Sequence, residues 1–223
     1  MKKLTFTALL KRTPKELRPF LKEIKQELDF KKVPLYIHDV ENINDNGEHI
    51  SGYFGYIDRY EPEINVAVKK PLADWLSVFI HEYNHFKQWE DNCKVWKDGY
   101  IRGADSTDLL DLWFSKNIEL TKKQVNNVVD RIFNIESDCE IKTVALIQKH
   151  NIPIDIKKYI KEANSYLIFH ETCKHLRRWF KSTPPYSVEK LNKLCPDDEI
   201  YKSSKDIKKV VLKQFIKYYK NRS

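Results

Sequence analysis

The apolar pattern of this chain changes its period at Pro71, and that change limits the folds open to it. Before Pro71, Val33 to Val40, Gly52 to Asp58 and Glu63 to Val68 read as short strands, the last two joined by a turn at Tyr60-Glu61-Pro62. A helix precedes them. Thr13-Pro14-Lys15-Glu16 has the form of a capping box with Pro in the first turn, and Leu17, Phe20, Leu21, Ile24 and Leu28 follow at helical spacing. Pro19 is placed to kink or restart that helix. Leu4 to Leu10 reads as a first strand or an N-terminal arm. After Pro71 the spacing is helical. Leu72, Trp75, Leu76, Phe79, Tyr83, Phe86 and Trp89 mark one face of a helix over 72–90. Ser106 and Thr121 are cap candidates, with the second of these helices running from Lys122 to about His150. Asp155 caps another helix that should end near Phe180, and shorter ones follow at Ser187–Leu194 and from Lys205. Strands first and helices afterwards define an α+β fold: a small N-terminal sheet, a central helix and a mainly helical second half.

At 223 residues the chain suits one domain, with 1–70 as helix plus sheet, 71–150 as the central helices and 151–223 as a helical C-terminal part. No apolar run approaches the length of about 18 residues needed to span a membrane. Met1-Lys2-Lys3 followed by Leu4–Leu10 is too short for a signal peptide and lacks a cleavage site, so a cytoplasmic protein is expected. Cys93, Cys139, Cys173 and Cys195 form no CxxC pair and are expected as reduced thiols, not as a zinc site. The net charge of +8 permits an anionic partner without requiring one. Eight Lys/Arg against Asp206 lie between Lys202 and Arg222, where Ile207, Val210, Val211 and Tyr218 supply an apolar face. A docked helix with a solvated basic side is the favoured reading of this tail, and an acidic partner or nucleic acid is the alternative.

The residues that carry chemistry are His81-Glu82-Tyr83-Asn84-His85. Histidines four apart stand above one another on one helix face, so both can reach a single ion. Glu82 then sits beside the metal without ligating it. From there it can take a proton from a zinc-bound water and pass it to the leaving amine. Two histidines and a glutamate in an otherwise apolar helix are costly without a shared partner. Zn2+ is the expected cofactor.

A strand, a Pro break, an HExxH helix and a later acidic helix together resemble the zincin metallopeptidases, over roughly residues 50 to 150. Small lysine-rich zincins are familiar from phages and other viruses, which would place the protein in a host cytoplasm. The resemblance implies a peptide or protein substrate, paired as an added strand along Ile64-Asn65-Val66-Ala67-Val68. Metzincins continue HExxHxxGxxH, but Gln88 and Asp91 occupy those last two positions here. The thermolysin-like gluzincins take a glutamate from a later helix, with an acid one turn on. Ile135-Glu136-Ser137-Asp138-Cys139-Glu140 is similar to that arrangement, although Glu140 replaces an aspartate and no asparagine precedes Glu136. The resemblance implies His81, His85 and Glu136 as ligands and Glu82 as catalytic base. Glu140 supports a histidine or substitutes as ligand. Glu136 also falls on the inward face marked by Val125, Val129, Ile132, Cys139 and Thr143, whereas Asp91 lacks the glycine turn that would return it to the metal.

His170-Glu171-Thr172-Cys173-Lys174-His175 has one residue too many for a second motif, because five residues turn about 140° around a helix. His170 shares a face with Tyr159, Ala163, Tyr166 and Cys173. It reads as a core histidine or, given the zincin resemblance, as a catalytic oxyanion stabiliser. His38, His49 and His150 read as structural or surface residues. Two rival functions stay open. One is a zincin-fold binding or assembly protein with a structural metal, and the other is a zinc amidohydrolase acting on a non-peptide amide.

Overall fold

The computed structural model describes residues 3–45, 48–56, 62–180 and 184–221. The ends of the expected 52–58 strand and of the 202–222 tail, and the turn at Tyr60-Glu61, lie outside them. The fold is α+β, with a four-stranded sheet in the N-terminal part and helices through the second half. Its contacts group into two compact units, Met1–Glu90 with Ala145–Ile154, and Asp91–Val144 with Asp155–Ser223.

The first unit opens with β1 (Lys3–Leu4) and α1 (Phe6–Arg12). The expected strand or arm over Leu4–Leu10 is therefore mostly helix. Thr5 caps α1, its hydroxyl accepting from Ala8 N at 3.2 Å. Thr13 closes this helix instead of opening the next, and its hydroxyl donates to Leu9 O. A 3-10 turn at Lys15–Leu17 leads into α2 (Arg18–Phe30), where Pro19 occupies the first turn and restarts the helix. Phe20, Leu21, Ile24 and Leu28 form its buried face. Then come β2 (Leu35–His38), the hairpin β3 (Ile43–Asp45) and β4 (Glu48–Ile50), β5 (Gly52–Tyr56), β6 (Pro62–Ala67) and α3 (Leu72–Glu90).

The sheet order is β1-β2-β6-β5, with β6 parallel to β2 and antiparallel to β5. β6 thus lies between two neighbours, and its outward edges are already paired. The expectation that residues 64–68 form a substrate-pairing edge is corrected: among the described strands the edge next to β6 is β5. Side chains alternate across β6. Ile64 and Val66 are buried on the face shared with Ile37 and Phe54. Glu63 and Asn65, also buried, lie on the other face in a polar network. His38 Nε2 bonds Asn65 Oδ1 at 2.8 Å, Asn65 Nδ2 donates to Glu63 Oε1 at 2.7 Å, and the Tyr53 hydroxyl donates to the same oxygen at 2.9 Å. His150 packs on Phe20, with ring centroids 4.5 Å apart, while His49 is exposed in β4.

The second unit comprises α4 (Lys94–Asp98), the short pair β7 (Tyr100–Ile101) and β8 (Ala104–Asp105), and α5 (Ser106–Phe114). These are followed by α6 (Lys122–Lys149, its residues from Ala145 belonging to the first unit), α7 (Ile156–Leu176), α8 (Glu189–Asn192) and α9 (Lys209–Lys220). Asp105, one residue before the expected Ser106, caps α5 by accepting from Thr107 N. Thr121 and Gln124 exchange bonds at the start of α6, a reciprocal cap. Asp155 caps α7 as expected, but the helix stops at Leu176 because Arg177 takes a left-handed conformation with φ 52°. Its buried side meets Val211, Phe215 and Tyr219 of α9, which recur at four-residue spacing. Asn164, fully buried, receives Tyr201 N at 2.8 Å and donates to Glu199 O at 2.9 Å, holding the segment before α9 against α7.

The tail is therefore a docked helix, with Lys209, Lys213 and Lys217 exposed opposite the buried stripe. Phe215→Ala should cost about 3–5 kcal/mol, as for other large-to-small core changes. Lys209→Ala, Lys213→Ala and Lys217→Ala should each stay within about 0.5 kcal/mol. Urea denaturation of the four variants checks this; an unaffected Phe215→Ala would show that α9 is not part of the core.

Candidate metal centre

α3 carries three stripes of side chains with different duties. Val78, Glu82 and Phe86 face β5. A Cβ on Gly52 would lie 2.7 Å from Val78 Cγ1 and 2.8 Å from Asn65 O, so only glycine lets helix and strand come this close. Phe54 packs on Phe86 and Trp89 at 6.4 and 6.2 Å. Between these apolar contacts Glu82, only 8% exposed, accepts from Phe54 N at 2.8 Å through Oε2. The carboxylate is thereby oriented by the edge strand.

Tyr83, Lys87 and Glu90 face α2. The Tyr83 hydroxyl donates to Glu27, Lys87 Nζ lies 2.7 Å from Glu27 Oε1, and Lys31 pairs with Glu90 at 2.7 Å. Burial, with Glu27 beside it, raises the Tyr83 hydroxyl well above the ordinary tyrosine range. This stripe was expected to be apolar at Tyr83; it is instead an ion-paired seam.

His81, His85 and Gln88 form the third stripe. His81 Nε2 and His85 Nε2 are 3.0 Å apart, and their rings meet edge to face. Two nitrogens each about 2.0–2.1 Å from one zinc ion can be at most roughly 4 Å apart, so this pair fits a shared ion. On its far side His85 Nδ1 lies 2.9 Å from Gln88 Oε1, and Gln88 is 0% exposed. Two convergent imidazoles, one oriented from behind, could supply two of the three or four ligands that a zinc ion takes from protein. Asn84, buried between them in sequence, donates to Ile80 O and adds no ligand.

The remaining site candidates belong to the second unit. Glu136 is half-buried on α6. Glu140, one turn on and buried, accepts from the Tyr159 hydroxyl of α7. His170 is 4% exposed within a ring of Tyr166, Phe169 and Trp179. Burial lowers its pKa, and nearby Glu136 opposes that shift. His175 is exposed, in keeping with the turn of about 140° that five residues make around a helix. Cys139, Cys173 and Cys195 are buried, and burial raises Cys195 to about 12.

Sequence reasoning reached His81, Glu82 and His85, but met Gln88 only as a departure from the metzincin pattern. Its position three residues after His85, on the same stripe, was the available signal. The Phe54 donor is a backbone amide and leaves no mark in residue identity. Compared with family models, with curated proteins and with solved structures, the chain matches none.

Above about pH 6.5 His170 is neutral both folded and unfolded. Below it the unfolded chain binds a proton that the folded chain resists, so stability should fall as pH drops. His175, lowered by burial and by Lys174, adds the same sign. Urea midpoints measured from pH 7 to 5 should decline for the parent and decline less for His170→Asn; equal slopes would remove His170 as the cause.

Proposed function

We propose that this chain is a zinc-dependent metallopeptidase in which His81 and His85 hold the ion and Glu82 moves the proton. The carrying observation is the 3.0 Å approach of two imidazole nitrogens one helical turn apart, with a buried carboxylate on the residue after the first. Zinc, when bound, supplies Lewis acidity toward the scissile carbonyl and toward water. As water adds to the carbonyl carbon, the Glu82 carboxylate takes its proton. It then returns that proton to the amide nitrogen as the C–N bond breaks. The Phe54 N–H holds Oε2 of this carboxylate in one orientation throughout.

Glu136 is the third ligand in this reading, supported by its half-buried place on a later helix and by the gluzincin resemblance. Glu140 is second in rank and Asp91 third, since Glu140 already accepts from Tyr159. His170, buried among Tyr166, Phe169 and Trp179, is foremost a core histidine in this reading, with the role of oxyanion stabiliser as the alternative that the zincin resemblance offers. An amide outside peptides, such as amidated cell-wall material, would use the same groups, and a peptide library set against that material separates the two. A binding or assembly role with a structural metal is favoured by one feature, the exposed lysines of α9, which suit a polyanion or acidic partner.

Glu82→Gln should retain zinc yet lose hydrolysis by a factor of about 10² or more. Near-parental turnover removes the enzyme assignment, while unchanged partner affinity in an inactive parent favours the binding role. Zinc titrations of Glu136→Ala, Glu140→Ala and Asp91→Ala rank the third ligand. Loss of the ligand itself should abolish tight binding, whereas loss of a supporting carboxylate weakens it by roughly 10- to 100-fold.

A further inference from the structure

We infer that Gln88 is the positioning residue of the metal centre, fixing His85 in the tautomer that carries its proton on Nδ1. The inference rests on the reading of His81 and His85 as metal ligands. The Gln88 side-chain oxygen can only accept, and it faces His85 Nδ1 at 2.9 Å. A neutral ring meeting that oxygen places its hydrogen on Nδ1 and its lone pair on Nε2. Nε2 is the atom that approaches His81 Nε2 at 3.0 Å, so the lone pair is delivered where a shared ion would lie.

The helix makes this arrangement local. Residue 88 lies three positions after His85 on one stripe, so the orienting group and both histidines move together on about two turns of one helix. Gln88 is completely buried, which keeps water from competing for Nδ1. Histidine ligands are commonly supported by a carboxylate or a backbone carbonyl. Here the support is an uncharged amide. It orients the ring without adding negative charge to a buried helix face.

The test compares the parent with Gln88→Met, which matches the volume but cannot accept in this way, and with Gln88→Glu, which still can. Imidazole 15N shifts of the metal-free protein at neutral pH report the His85 tautomer, and zinc affinity is measured by competition with a chelator. Thermal melts identify any variant that fails to fold, and either variant alone then decides the outcome against the parent. The parent and Gln88→Glu should show the Nδ1–H form and bind zinc tightly. Gln88→Met should shift the ring toward the Nε2–H form and bind zinc roughly 10- to 100-fold more weakly. A folded Gln88→Met with the parental tautomer and affinity overturns the inference, as does a folded Gln88→Glu that loses both. A parent that shows the Nδ1–H form but binds no zinc overturns the metal reading and leaves the orientation of His85 by Gln88 standing.

Discussion

The close approach of α3 to β5 at Gly52 sets the geometry of the first unit. A side chain there would meet Val78 and the carbonyl of Asn65, and the helix would have to lift from the sheet. Lifting it would separate Glu82 from the Phe54 amide and open the Phe54–Phe86–Trp89 contact. Buried Glu82 is tolerated because the Phe54 amide is reached at this spacing, whereas Asn84, His85 and Gln88 find partners within α3 itself. Unpaired, a buried carboxylate and buried amides would each oppose folding. The same helix is anchored from another direction by the Glu27 seam, where Tyr83 and Lys87 share one carboxylate. Its rotation is thus fixed from two sides, and the direction of His81 and His85 follows.

The second unit relies on a different device. Its core is assembled by α7 and α9, whose buried faces are largely apolar. Within that core Asn164 replaces backbone partners that an irregular segment lacks, by bonding Tyr201 N and Glu199 O. Loops brought inward need such side chains, because backbone groups out of water must be paired. Glu140 and Glu171 follow the same rule on the helix faces, with Tyr159 and Lys174 as partners.

Much of this was legible in the sequence where local and tertiary demands agree. α3 begins and ends where the Pro71 break and the apolar spacing put it, and Thr121 and Asp155 cap the helices assigned to them. α1 was missed because seven residues offer too few repeats to establish a period. The Thr13 box was misread because its residues also satisfy the end of the preceding helix. β6 was expected as an edge because the zincin resemblance implied one, and the alternation of Glu63 and Asn65 with Ile64 and Val66, usual for a half-wet strand, did not oppose it. What hid it was a buried polar network supplied by β2 and β5, which no single strand reveals. The histidine pair was legible because its spacing is the helical repeat itself. The Phe54 amide was not, since every residue but proline has one.

The network across β2, β6 and β5 also acts as a lock on strand alignment. Tyr36, Asn65 and Tyr53 stand opposite one another across the three strands, and Ile37, Val66 and Gly52 form the next row. A slip of β6 by one residue would exchange the two rows. Glu63 and Asn65 would enter the layer against α3 without acceptors or donors, while Ile64 and Val66 would face His38 and Tyr53. Such a misaligned sheet loses on both faces at once, so the error is rejected as the strands join. A parallel β2–β6 pairing, closed across a long connection, is the contact most exposed to that error, and it is the one this network spans.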